Sequence, residues 1–159
     1  MKMNEHEQRM CEEQSLLFEM MADAFPCSSS YVISRFMNSD IAKRMDKIDD
    51  PYNYNCANNI VCILKEKYPS LTAKEGEHYS KSLLRWIGYV FRAWSIIKRK
   101  SSYDIYKDMK ADDLLSYYDS FHTFSIEYCI DRLEEIVKEK KPARKSDYEI
   151  FKEIMLAND

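Results

Sequence analysis

Along this chain, apolar positions recur at steps of three and four, the spacing that gathers them on one face of a helix turning 100° per residue. Leu16, Leu17, Met20, Met21 and Ala24 mark a first amphipathic helix that Pro26 ends, and the hydroxyls of "CSSS" at 27–30 cap the next. Val32, Ile33, Phe36, Met37, Ile41 and Met45 carry that second helix to about Lys47, where "DDPYNYN" at 49–55 predicts a loop. Ala57, Ile60, Val61, Leu64 and Tyr68 line a third helix stopped at Pro69, and polar "SLTAKEGEH" leads on from it.

The segment from 79 to 100 is predicted to be the longest and most buried helix. Leu83, Ile87, Val90, Trp94 and Ile97 make one continuous apolar stripe, and Arg85, Tyr89, Arg92, Ile96 and Arg99 repeat the same steps on a neighbouring face. Three guanidinium groups then stand about 10 Å apart along the axis with a tyrosine among them. Gly88, between the two stripes, marks a close crossing with another helix.

The basic "KRK" at 98–100 suits the C-terminus of that helix, and Ser101 and Ser102 are N-caps for a short one through Ile105 and Met109. Asp112 begins another with Leu114, Leu115 and Tyr118. After "DSFHTFS", a strong helix buries Ile126, Cys129, Ile130, Leu133, Ile136 and Val137 and exposes a Glu134–Lys138 pair. "KEKKPARK" is a charged connector, and Ser146 with Glu149 forms a capping box before a last helix with Phe151, Ile154 and Met155 inward.

The pattern predicts one all-α domain over 1–159, an irregular bundle of about six to eight helices. Composition agrees: 45% hydrophobic residues can fill a sizeable core, and two glycines with four prolines leave few of the tight turns a sandwich or barrel needs. A net charge of −3 and a pI near 5.7 argue against a dedicated polyanion binder. The polar N-terminus has no signal-like apolar core, and Arg85 and Arg92 interrupt the longest apolar run, so a cytoplasmic chain without a membrane span is expected.

Five cysteines, at 11, 27, 56, 62 and 129, form no C-x-x-C pair, and with three histidines they show no metal-ligand spacing; no metal or cofactor is expected. His122 in "YYDSFHT" is flanked by core-like residues and an acid, but no nucleophile or second acid lies at a useful spacing. A phosphate loop, H-E-x-x-H and the Arg-x4–6-His arrangement of HEPN-type ribonucleases are all absent, so no enzyme is predicted. The arginine stripe has three readings: internal pairing with bundle carboxylates, a protein partner gripped by arginine and aromatic anchors, or phosphate contact with nucleic acid. The residues assigned to partner binding are Arg85, Tyr89, Arg92, Arg99, Tyr118 and His122.

"WIGYVFRAWSIIKRKSSYDIYK", "LLSYYDSFHT", "IDRLEEI" and the upstream "YVISRFMNSDIAKRMD" together span roughly residues 31 to 133. These blocks resemble a family of small bacterial proteins encoded near toxin–antitoxin-like genes, some with ADP-ribosyltransferase-like products. The resemblance implies an antitoxin-like or accessory binding role with a toxin-like protein partner, and points to Trp86, Gly88, Tyr89, Arg92, Trp94, Ser102, Tyr106 and His122. A nucleic-acid-binding regulator using Arg35 and Arg44, or the stripe at 85–99, is the alternative.

Overall fold

Asn4 accepts from the Glu7 backbone N–H at 2.9 Å while the Glu7 carboxylate accepts from the Asn4 N–H at 2.9 Å, and this reciprocal cap starts helix α1, Glu5–Ala24. The computed structural model describes residues 2–48, 56–141 and 147–158. The loop expected at 49–55 and the Ser146 half of the predicted capping box lie outside them. Among the described residues there is no strand, and the chain forms a single all-helical domain. No described helix is long and apolar enough to cross a membrane.

α1 is longer than its apolar pattern suggests and buries Met10, Cys11, Gln14, Leu17, Phe18 and Met21; Leu16, placed inward by its spacing, is exposed. The single helix expected from Val32 to about Lys47 is two, α2 (Ser29–Met37) and α3 (Asp40–Met45). Ser39 divides them: its hydroxyl donates to the Phe36 carbonyl at 2.6 Å and accepts from the Ala42 N–H, closing one helix and capping the next. α4 (Ala57–Lys67) ends at Tyr68, and Pro69 opens a 3-10 turn through Thr72.

α5 (Lys81–Lys98) begins on the Ser80 cap; at 18 residues it is shorter than the 20 of α1, so the longest helix is not the one expected. α6 (Ser102–Asp108) starts on Ser101 as its hydroxyl predicted. α7 (Ala111–Leu115), α8 (Tyr118–Phe121), α9 (Ile126–Lys140) and α10 (Asp147–Ala157) complete the described order. Among the described residues there are ten helices, close to the expected six to eight; the excess arises because α3, α7 and α8 are short pieces that periodicity alone merges with their neighbours.

α5 is the centre, packed on α1, α6, α7 and α9. The crossing predicted at Gly88 is with α1: a Cβ there would sit 2.6 Å from the Gln14 carbonyl oxygen and 2.9 Å from Phe18 Cγ. Contact this close lets the Gln14 amide donate to the Gly88 carbonyl at 3.0 Å, and the Ser15 hydroxyl donates to the Arg85 carbonyl at 2.9 Å. Burial of the α1–α5 seam keeps the Cys11 thiol protonated by pushing its pKa up to about 12.

A polar network is enclosed beside that seam. Arg92 is fully buried and donates from Nε to Gln14 Oε1 at 2.9 Å, from Nη1 to Asp46 Oδ1 at 2.8 Å and from Nη2 to Ser102 Oγ at 3.3 Å. Asp46 also accepts from the Ser102 N–H and hydroxyl, at 2.9 and 2.6 Å, and from the Ser95 hydroxyl. One guanidinium thereby ties α1, α3, α5 and α6 together, its charge matched by Asp46 and each of its three nitrogens donating a hydrogen bond.

Glu134, expected on an exposed face, is buried: it accepts from the Trp94 indole and from Lys100 Nζ, each at 2.6 Å. The buried indole N–H needs an acceptor, and Glu134 is the group α9 offers it. α10 departs furthest from expectation. Phe151, Ile154 and Met155 are 60%, 55% and 55% exposed instead of inward.

Candidate functional site

Because α5 turns Leu84, Ile87, Val90, Phe91 and Trp94 into the core, Arg85, Trp86 and Tyr89 are left along its outward edge. Trp86 meets Tyr118 of α8 edge-on, with ring centroids 5.4 Å apart and planes at 84°. Tyr118 stacks on His122 at 4.4 Å and 12°, and His122 Nδ1 donates to the Tyr118 carbonyl at 2.7 Å. One short helical turn thus fixes two rings against the edge of α5. Trp86 thus brings Tyr118, and through it His122, to the edge of α5 that carries Arg85 and Tyr89, so four of the six sequence-assigned residues lie along it.

Arg85 is half-exposed, and its Nε lies 3.7 Å from a Glu19 carboxylate oxygen, a loose ion pair in solvent. Tyr89 is half-buried; burial raises its phenol pKa, and Cys11, Glu12 and Glu127 push it the same way. Asp119 follows Tyr118 in the chain, and Glu12 and Glu127 lie near enough to Tyr89 to act on its phenol.

Arg92 does not belong to this surface. Its guanidinium is enclosed in the core network, so the assignment of Arg92 to partner binding is corrected: α5 is covered over its second half, and both faces there become interior. Arg99 is exposed but stands at the far end of α5 as its C-cap, in the left-handed region with φ 53°, its N–H donating to the Ser95 carbonyl. The stripe of equal steps therefore has three fates, at an edge, in the core and at a cap.

Sequence reasoning missed a second run of rings, which starts on the neighbouring face of α8 and continues to α9. Tyr117 stacks on Phe121 at 5.4 Å, Phe121 meets Phe124 at 6.0 Å, and Phe124 meets Tyr128 edge-on at 5.0 Å. Lys140 Nζ lies 5.8 Å from the Tyr117 centroid. Phe124 and Tyr128 are 46% and 51% exposed. The signal was available as two aromatic pairs four residues apart, 117 with 121 and 124 with 128.

The second-helix arginines also differ. Arg35 is held between two tyrosines, its Cζ 5.5 Å from the Tyr31 centroid and 5.6 Å from that of Tyr68, with Nε and Nη2 donating to the Tyr31 hydroxyl at 3.2 Å. Hydrogen bonds from Ser70 and Arg35 hold the Tyr31 phenol pKa below its ordinary value. Arg44 is simply exposed.

Among the described residues His122 bonds a backbone carbonyl and no carboxylate, and no three His, Cys, Asp or Glu side chains are grouped to hold a metal ion. The chain matches no family model, no curated protein and no solved structure.

Proposed function

We propose that this chain is a non-catalytic protein-interaction module, antitoxin-like or accessory in a bacterial toxin–antitoxin-type system, whose partner is a toxin-like protein. The observation that carries the reading is the grouping of Arg85, Trp86, Tyr89, Tyr118 and His122 at one edge of α5. Arginine and large amphipathic rings are the side chains that most often anchor protein interfaces. Here the rings are pre-positioned by one another, so little side-chain entropy is lost on docking. The partner surface that fits has an apolar recess for the Trp86–Tyr118 pair and a carboxylate that takes Arg85 from Glu19.

The carboxylates of Glu12, Asp119 and Glu127 favour protein over nucleic acid at this edge, since phosphates would be repelled. The test is capture of partners from cells expressing the chain, comparing wild type with Arg85→Ala and Tyr118→Ala. Loss of one specific protein from both variants, with helicity kept, is expected; retention of every captured protein overturns the reading.

The nucleic-acid alternative rests on a different place, the Arg35 cation between Tyr31 and Tyr68. Binding there would weaken steeply with salt and be lost in Arg35→Ala but not in Arg85→Ala.

A further inference from the structure

Among the described residues two apolar surfaces are open to solvent. One is the outer part of the strip of four rings, where Phe124 and Tyr128 are exposed beside half-buried Tyr117 and Phe121; the other is the face of α10 carrying Tyr148, Phe151, Ile154 and Met155. An 11-residue helix is too short to persist in water on its own hydrogen bonds, so α10 needs a surface to cover its apolar side. We propose that α10 of one copy lies on the Tyr117–Tyr128 strip of a second copy, the two copies exchanging helices about a two-fold axis. This deepens the protein-interaction reading, on which it rests, by naming the chain itself as one partner, on the face of α8 next to the Trp86–Tyr118–His122 edge.

Length and charge both fit. The three centroid steps along the strip, 5.4, 6.0 and 5.0 Å, reach no further than the helix, about 16 Å long at 1.5 Å per residue. The apolar arc of α10 contains one charge, Asp147, at its N-terminal end, one turn before Phe151 and two before Ile154. The strip has a cation at one end, Lys140 over Tyr117. Matching Asp147 to Lys140 sets the direction: α10 enters at Tyr117 and runs toward Tyr128, antiparallel to the partner's α9. In that position Tyr148, Phe151 and Met155 cover Phe124 and Tyr128, which otherwise face water, and the open edges of Tyr117 and Phe121, which is the composition of an interface core.

Sedimentation of the full chain over a wide concentration range tests this. Wild type is expected to dimerise, while Phe151→Asp on α10 and Phe124→Asp on the strip, both exposed and so leaving the fold intact by circular dichroism, are each expected to be monomeric. Mixing the two variants restores a heterodimer through the one intact pair of surfaces. Asp147→Lys and Lys140→Glu should each weaken dimerisation about tenfold, and the double variant should regain most of it. A wild-type monomer at every concentration overturns the proposal, as do a dimer that survives Phe124→Asp, a mixture that stays monomeric, or an α10 protected from hydrogen exchange in a monomer. None of these bears on capture of another protein through Arg85 and Tyr118, so the two readings fail separately.

Discussion

α5 and α10 are both amphipathic helices, and they end in opposite situations. α5 is enclosed on nearly every side and takes a charge into the core, whereas α10 leaves Phe151, Ile154 and Leu156 facing water. Their patterns differ, since Leu156 of α10 falls outside the face shared by Phe151 and Ile154, and so do their neighbours. α5 has α1, α6, α7 and α9 around it and Gln14, Asp46 and Ser102 to satisfy Arg92, while α10 has no comparable cover among the described residues. Periodicity defines a face; neighbours decide whether that face, or its opposite, is interior.

The largest expected effect is at the buried charge. Arg92→Ala leaves Asp46, Gln14 and Ser102 without their shared donor, and loss of one partner from such a network costs about 3–5 kcal/mol, read as a lower urea midpoint. A loss under about 1 kcal/mol would mean that the network is solvated and α5 is not anchored by it. Next, Gly88→Ala puts a methyl group 2.6 Å from the Gln14 carbonyl oxygen, and the forced separation of α1 and α5 should cost about 1–3 kcal/mol. An unchanged midpoint would show that the seam can open without penalty.

A pH effect sharpens the same contrast. Burial acts to raise the Glu134 pKa, but hydrogen bonds from Lys100 and Trp94 and the charges of Lys100 and Lys98 outweigh it, so the carboxyl titrates below its ordinary 4.5. A folded pKa below the unfolded one stabilises the protein above the unfolded value, and that stability is lost as pH falls through the folded value. Denaturation midpoints taken from pH 7 to pH 3 should therefore fall more in wild type than in Glu134→Gln; parallel curves would contradict this. Smallest of all, Phe151→Asp should shift the stability of the isolated chain by no more than about 0.5 kcal/mol, because the ring is 60% exposed. A larger loss would place α10 against its own bundle.

The sequence made the helical class legible, together with the Gly88 crossing, the Ser101 cap and the inward face of α9 at Cys129, Ile130, Leu133 and Val137, because each of these follows from a local spacing or cap. Long-range polar matches were illegible. Arg92 reads as a surface cation until Gln14, 78 residues away, and Asp46, 46 away, are brought beside it. Glu134 likewise looks exposed until Trp94, 40 residues distant, presents its indole. The α5 edge was half legible. Arg85, Tyr89, Tyr118 and His122 were chosen from pattern and residue type, but the contact that joins them, Trp86 on Tyr118, is tertiary. α1 was understated because Met10, Cys11 and Gln14 make a weaker apolar signal than its later turns.

The central claim is that the edge of α5 built on Trp86 and Tyr118 is where this chain meets another protein. Its most direct test is a photo-crosslinking residue placed in living cells at position 118, with position 99 at the far end of the same helix as the control. The account predicts a discrete protein adduct from position 118, absent from position 99 and lost when Arg85→Ala is added. Equal labelling from both positions, or an adduct at 118 that is nucleic acid and not protein, would contradict it.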